Sequence, residues 1–154
     1  MNLDGLITPD SVAPALRASS KKQLLQELAN RVAEAEGLDS RGVFDALMER
    51  ERLGPTGMGR GVAIPHARME GVSEVRGFFA RLDRGVDFDA PDGAPVDLAF
   101  LLLAPEDAGA DHLRALAKVS RLLRDEGRCA KLRSTADASA LYAILVDDMS
   151  SRAA

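Results

Sequence analysis

Residues 95–103, PVDLAFLLL, form a nearly continuous apolar run in the second half of the chain. A strand with one face in solvent alternates apolar and polar residues, whereas a strand covered on both faces is apolar throughout. The run therefore predicts a central strand with helices packed on both sides of its sheet. It is far too short to cross a membrane as a helix.

Shorter segments on the N-terminal side of this run complete the predicted sheet. Residues 62–64 (VAI) and 77–82 (GFFARL) have the composition of further strands. We expect the connections 83–94 and 105–110 to be loops. The sequence leaves the order of the strands open.

Two helices are predicted before these strands. Ser20-Lys-Lys-Gln23 has the residue types of a capping box, and apolar residues at helical spacing follow it until Gly37. Asp39 can cap a second helix, which must end at Gly54-Pro55 because proline cannot continue the helix. The inward face of this second helix is expected to contain Val43, Phe44, Leu47 and Met48.

Two more helices are predicted after the central strand. Asp111 can cap a helix over residues 112–126 that ends at Gly127, and a shorter helical segment can follow it. Asp137 begins the last helix, before a polar tail, 150–154, that is expected to fray. The expected inward residues are Leu113, Leu116, Ala117, Leu122 and Leu123 in the first helix and Leu141, Tyr142, Leu145, Val146 and Met149 in the second. Helices before, between and after strands predict one α/β domain over residues 1–154.

The composition excludes several classes of protein. The chain has 154 residues, is 46% hydrophobic and carries a formal net charge of −4, with no block of basic residues. Binding to nucleic acid is therefore not expected. The N-terminus lacks the pattern of a signal peptide, and we expect a cytoplasmic protein without membrane insertion. The single cysteine, Cys129, cannot form an intramolecular disulfide and is expected to be a small residue on a helix.

Residues 57–68, GMGRGVAIPHAR, combine glycines, arginines and one of the two histidines. The glycines come between a helix and a strand, which is the reverse of the order in nucleotide-binding glycine motifs, and a flexible connector would also explain them. Arg50 and Arg52 precede the loop, Arg60 lies within it and Arg68 follows it. Positive charge concentrated in an acidic chain suits an anionic ligand.

The two histidines are the candidate reactive residues. Pro65 stiffens the chain just before His66, so that the imidazole is held at a strand end. His112 is expected in the first turn of a helix, where the helix dipole disfavours protonation and backbone N–H groups can bind an anion. A solvated surface position remains an alternative for His112.

Other chemistries fit poorly. Two histidines and one distant cysteine make a poor zinc site, and no metal or other cofactor is expected. The chain has no G-x-S-x-G motif, and its cysteine lies on a predicted helix, so a hydrolase triad is not apparent. A neutral imidazole is a competent nucleophile, and a phosphoryl group on it would need positive charge and backbone donors nearby.

Residues 50–66, RERLGPTGMGRGVAIPH, resemble the active-site segment of the enzyme IIA proteins of the fructose/mannitol type in the bacterial phosphotransferase system. Residues 111–116, DHLRAL, resemble the second-histidine helix of that family. The similarity extends over nearly the whole chain, including residues 95–105, and is greatest to the nitrogen-regulatory (IIA-Ntr) branch.

The resemblance implies a fold and a set of roles. The family fold is a single mixed sheet of about five strands flanked by helices on both sides. His66 would accept a phosphoryl group on its tele nitrogen from a phosphorylated HPr-like carrier, called NPr in the nitrogen branch. The remaining implied site residues are His112 as active-site partner, Arg50 as a positive charge for the phosphate, and Thr56, Gly57 and Gly59 in a phosphate loop.

The resemblance also implies a regulatory role. The chain would be a phosphotransferase component, without small-molecule turnover of its own, whose phosphorylation state controls target proteins such as regulators of transport or kinases. One alternative is a sugar-specific enzyme IIA that passes the phosphoryl group to a IIB domain. Another is a binding module that keeps the fold but is not phosphorylated.

Overall fold

The computed structural model of the protein describes residues 3–147. Within this range one mixed sheet contains six strands, in the spatial order β1-β5-β6-β3-β2, with β4 also paired to β6. The strands are β1 (Val12–Leu16), β2 (Gly57–Gly59), β3 (Val62–Ala63), β4 (His66–Arg68), β5 (Arg76–Val86) and β6 (Val96–Ala104). The predicted α/β class and the mixed sheet implied by the resemblance are both confirmed.

Residues 96–103 of the apolar run lie in the central strand, β6. β6 pairs antiparallel with β5 on one side and parallel with β3 and β4 on the other. Residues 98–104 are fully buried. Their side chains alternate between two apolar clusters, one beneath the first two helices and one beneath the last three. Helices thus cover both faces of the sheet, as the run predicted.

The strands β1, β2 and β4 were not predicted, and β5 continues through residues 83–86, which were expected to be a loop. β1 contains Pro14, a residue that argues against a strand, yet it pairs parallel with β5 at the sheet edge. The partner of β1 lies more than 60 residues away, at Phe79 and Ala80. Pairing at such a distance has no local sequence pattern.

The first two helices, α1 (Lys21–Glu36) and α2 (Ser40–Leu53), begin and end as predicted. The Ser20 side chain accepts a hydrogen bond from the Gln23 amide, and Gly37 ends α1 in the left-handed conformation. The Gln23 side chain bonds back to the Ser19 amide, one residue earlier than a standard capping box. Asp39 caps α2 through the Gly42 amide, and Gly54 follows its last residue.

The third helix differs from the prediction at both ends. α3 (Ala110–Arg124) follows Gly109, so that Asp111 lies within the first turn and does not cap it. The chain breaks at Asp125, which caps α4 (Glu126–Arg133), so Gly127 lies inside a helix and ends none. Of the five residues expected inward, Leu122 and Leu123 are buried, whereas Leu113 and Ala117 are exposed. His112, Ala115 and Val119 take the buried positions.

The last helix, α5 (Ala138–Val146), is capped by Asp137 as predicted. Leu141 and Leu145 are buried, and Tyr142 and Val146 pack beside them. Met149 and the tail 150–154 lie outside the described residues. Cys129 is buried in α4, where its thiol donates to the Leu123 carbonyl, and burial raises the pKa of this thiol.

Candidate active site

The candidate site is built at a break between two short strands. β3 and β4 both run parallel to β6, and Ile64-Pro65 separates them. The Leu102 amide of β6 donates to the Pro65 carbonyl at 2.9 Å, so the break stays attached to the sheet. His66 then begins β4 opposite Leu102. The central strand therefore fixes the main chain from which the imidazole projects.

The hydrogen bond made by His66 defines its neutral tautomer. Nδ1 lies 2.8 Å from the Ile64 carbonyl oxygen, and because a carbonyl only accepts, Nδ1 must carry the proton. In the neutral ring Nε2 is then the nitrogen with a free lone pair. Burial lowers the pKa of His66 below the usual 6.5; the Ile64 carbonyl and Glu51 act to raise it, and Arg50 to lower it further. His66 is therefore largely neutral near pH 7, with the lone pair on Nε2.

The second histidine has the opposite tautomer. Arg68 Nε lies 3.1 Å from His112 Nδ1, and because a guanidinium only donates, Nδ1 is the acceptor and Nε2 carries the proton. Burial, with the charges of His66 and Arg68, lowers the pKa of His112 to about 4. His112 is only 5% exposed, and its Nε2 has no hydrogen-bond partner in the part of the chain that the structure describes.

The two imidazoles meet edge to face. Their ring centroids are 5.5 Å apart with an interplanar angle of 66°. β4 supplies one ring and the first turn of α3 supplies the other, from segments 46 residues apart in the chain. The sequence left open whether they meet. Their arrangement places the Nε2 lone pair of His66 and the Nε2–H of His112, which has no partner among residues 3–147, in the same site.

An open cleft of about 480 Å³ lies beside the histidines. Arg50 lines it from the last turn of α2, where its Nη1 also donates to the Gly54 carbonyl at 2.9 Å and closes the helix end. The rim is apolar: Leu53 is 80% exposed and Leu113 is 63% exposed. The cleft thus combines guanidinium groups with exposed leucines, a combination suited to an anionic group presented by a protein.

Thr56 does not face the cleft. It is buried, and both its amide, at 3.1 Å, and its hydroxyl donate to the carboxylate of Glu51. Lys21 Nζ lies 2.9 Å from the same carboxylate. Glu51 is only 8% exposed, at the end of α2. A buried ionic group with three donors therefore lies directly beneath the loop that leads to His66.

Gly57 and Gly59 lie away from the histidines. They form β2, whose Gly57 pairs with Ala63 of β3, and Ala63 in turn pairs with Ala99 of β6. Ala99 is three residues before Leu102, which corresponds to about 10 Å along a strand. The two glycines do not line the cleft. The structure thus gives no support to direct phosphate binding by the β2 glycines.

The β2 glycines have structural explanations. A Cβ on Gly57 would lie 3.2 Å from the Ala90 backbone, and Gly59 has φ 91° in the tight connection to β3. Arg60 also turns away from the histidines and pairs with Glu126. Arg52 pairs with Glu49 on its own helix. Of the four arginines around the loop, Arg50 and Arg68 line the cleft.

Sequence reasoning missed one residue and under-described another. Glu51 follows Val43 and Leu47 at intervals of four, so a charged residue on the buried face of α2 was the available signal. Arg68 was noted only as nearby charge, and its bond to His112 has no local signal.

Among the described residues, no group of three or more His, Cys, Asp and Glu side chains could hold a metal ion. No helix in residues 3–147 is long and apolar enough to span a membrane.

Comparison with known proteins gives consistent matches over most of the chain. Residues 5–148 match the family model described as phosphoenolpyruvate-dependent sugar phosphotransferase system, EIIA 2. The nitrogen regulatory protein of Bradyrhizobium diazoefficiens is 54% identical, over 94% of this chain and 95% of that protein. The nitrogen regulatory protein of Pseudomonas aeruginosa is 43% identical, over 96% of both chains. The crystal structure of nitrogen regulatory protein IIA-Ntr from Neisseria meningitidis superposes with a TM-score of 0.87 at 37% identity, over 93% of this chain and 98% of that chain.

Proposed function

Because the chain belongs to the EIIA type 2 family of the phosphoenolpyruvate-dependent sugar phosphotransferase system, on its nitrogen-regulatory IIA-Ntr branch, we propose that it carries a phosphoryl group on Nε2 of His66. The donor is a phosphorylated HPr-like carrier (NPr), and the phosphorylation state controls target proteins. The observation that carries the proposal is the bond from His66 Nδ1 to the Ile64 carbonyl, which leaves Nε2 as the nucleophile. We further propose that residues 1–154 form one domain that works in the cytoplasm.

The transfer is a single in-line displacement at phosphorus. The lone pair of His66 Nε2 attacks the phosphorus of the carrier phosphohistidine, a P–N bond forms at His66, and the P–N bond to the carrier imidazole breaks. The electron pair of the broken bond returns to the carrier imidazole. The proton on His66 Nδ1 stays in place, and its bond to the Ile64 carbonyl strengthens as the ring gains positive character.

Three neighbouring side chains support the phosphoryl oxygens. His112 Nε2–H, buried and without a partner in residues 3–147, donates to one of them. A buried donor left unpaired costs about 1–3 kcal/mol, so this contact also relieves a cost already present in the fold. Arg50 supplies positive charge from the cleft wall. Arg68 acts through His112, because its bond to Nδ1 keeps the donor proton on Nε2.

The exposed leucines favour a protein as the phosphoryl donor. Leu53 and Leu113 line the same cleft as the histidines and are the large apolar residues of the described chain that are mostly exposed. A small phosphorylated metabolite would gain little from them, whereas a carrier protein would bury them around the reacting groups. After transfer, roughly two negative charges at this same face give target proteins a direct means of discrimination.

The experiment is phosphorylation from purified components. Phosphoenolpyruvate, enzyme I and the HPr-like carrier are incubated with the native chain, and the product is followed by intact mass and by its lability in acid. We expect one acid-labile phosphoryl group that is absent in His66→Ala. His112→Ala and Arg50→Ala should slow the transfer, whereas Arg31→Ala, which changes an exposed arginine of α1, should not. An unmodified native chain, with another enzyme IIA labelled in parallel, would favour the unphosphorylated binding module.

A sugar-specific role is the second candidate, and the family description, which names the sugar phosphotransferase system, is the observation that favours it. In that case His66 would pass its phosphoryl group to a IIB domain. The phosphorylated chain can be mixed with purified fructose- and mannitol-type IIB domains. Rapid loss of the phosphoryl group to one of them would support sugar transport, and its retention would support the regulatory role.

A further inference from the structure

A continuous set of hydrogen bonds connects Glu51 to the reactive histidine. Thr56 donates to Glu51 through both its amide and its hydroxyl. The Thr56 carbonyl accepts from the Ile64 amide at 3.1 Å, and the Ile64 carbonyl accepts from His66 Nδ1 at 2.8 Å. The same peptide segment, residues 54–66, therefore receives an anchor at one end and orients the imidazole at the other.

The anchor is unusually complete for a residue outside the cleft. The Glu51 carboxylate is bonded by the Thr56 amide, the Thr56 hydroxyl and the Lys21 ammonium group. Hydrogen bonds to a charged group are stronger than those between neutral groups. The carboxylate is buried, so removal of one donor leaves charge that solvent cannot reach. The loop start at Thr56 is thus held more firmly than backbone pairing alone would hold it.

We infer that Glu51 and Thr56 are positioning residues for phosphoryl transfer: through the main chain of Ile64 they hold the carbonyl that selects the nucleophilic tautomer of His66. The inference rests on the proposed function for its consequence in transfer, but the tautomer itself is a property of the unphosphorylated protein. Thr56 acts from beneath the loop. In this role it does not contact the phosphoryl group but helps to fix the tautomer of His66.

The charges around His66 define the expected effect of removing the Glu51 charge. Arg50 and Glu51 of α2 act on His66, and His112 of α3 packs against it, with Arg68 of β4 bonded to His112 Nδ1. The Glu51 carboxylate is paired with Lys21 of α1, and Asp89 Oδ2 lies 3.7 Å from Lys21 Nζ. Glu51 is the acidic member of the set that raises the pKa of His66. Its neutralisation should therefore lower the pKa of His66 further.

The test uses the full chain with Glu51→Gln, Thr56→Val and Thr56→Ser, together with Asp45→Asn as a control. Asp45 is an exposed carboxylate on the same helix, paired with Arg41. Imidazole ¹⁵N resonances are recorded during a pH titration, and transfer from the phosphorylated HPr-like carrier is timed. In Glu51→Gln we expect the His66 Nδ1 resonance to move toward that of an unprotonated nitrogen, and the pKa of His66 to fall. We expect transfer to be about tenfold slower, by analogy with the loss seen when hydrogen-bond partners that orient metal-binding histidines are removed.

Thr56→Val should move the Nδ1 resonance in the same direction, and Thr56→Ser, which keeps the hydroxyl, should restore it. Asp45→Asn should leave the resonance in place. If Glu51→Gln does not fold, the comparison of Val with Ser at position 56 decides. Folded Glu51→Gln and Thr56→Val proteins with the native Nδ1 resonance and His66 pKa would overturn the inference. Failure of the native chain to accept phosphoryl groups would refute the proposed function alone, since the resonances report on the unphosphorylated protein.

Discussion

His112 should make the stability of the protein depend on pH in a defined interval. Its pKa is about 4 in the folded protein, against the 6.5 typical of histidine. The unfolded chain therefore binds the proton more readily, and the stability contributed by neutral His112 is fully present above pH 6.5 and lost as the pH falls toward 4. At about 1.4 kcal/mol for each pH unit, the whole interval corresponds to about 3 kcal/mol. Between pH 7 and pH 5 the expected loss is about 2 kcal/mol.

The assay is urea unfolding of the native chain and of His112→Asn at several pH values from 4 to 8. Asparagine can still accept from Arg68 and does not titrate in this range. The variant will differ in absolute stability, so only the change with pH is compared, and the carboxylates common to both proteins cancel in that difference. We expect the native protein to lose about 2 kcal/mol more than His112→Asn between pH 7 and pH 5. Equal pH dependence in the two proteins would refute the burial argument for His112.

Three further predictions concern the site and its support. Arg68→Ala should raise the pKa of His112, because in the native protein the Arg68 guanidinium opposes protonation of that ring. An NMR titration that finds no rise in the His112 pKa would contradict the geometry. Leu113→Ser should weaken binding of the phosphorylated carrier by about tenfold, as loss of about 1–2 kcal/mol of apolar burial implies, and leave the melting temperature within a few degrees. Gly61→Ala should lower the free energy of unfolding by about 2 kcal/mol, because at a φ of 80° the new Cβ would lie 2.6 Å from Arg133 Nη2 and would displace this guanidinium from the Arg60 carbonyl and Asp97. Gly71→Ala has a similar φ with open space around it and should cost only about 1 kcal/mol, so equal losses would contradict the clash.

Local chemistry was enough to predict much of the fold. The caps at Ser20, Asp39 and Asp137 and the apolar run of β6 depend on neighbours in the chain, and each lies where it was predicted. The third helix shows the limit of such patterns. Leu113 matches an apolar face by spacing but lies on the cleft rim, where it is exposed and outside the core. The periodicity of apolar residues cannot distinguish a buried leucine from an exposed one.

The candidate site likewise has some features that the local sequence predicts and others that depend on the fold. His66 and Arg50 were identified from a short motif, since both flank one loop. The bond from Arg68 to His112 joins residues 44 apart in the chain, and it depends on how α3 packs against β4. The tautomers of the two histidines depend on single acceptors and donors that only the fold brings together. Sequence thus predicts the candidate residues, and three-dimensional contacts assign the tautomers of the two histidines.

The edges of the sheet, as residues 3–147 form it, bear on how this protein behaves at high concentration. One edge is β1, whose Pro14 cannot donate a backbone hydrogen bond. The opposite edge consists of β2, with three residues of which two are glycine, and of β4, which also has only three residues. Short, proline-containing or glycine-rich edges offer a poor template for strand addition by another chain. The long apolar strands β5 and β6 lie between them. The apolar centre of the sheet is thereby flanked by edges that disfavour the addition of strands from other molecules.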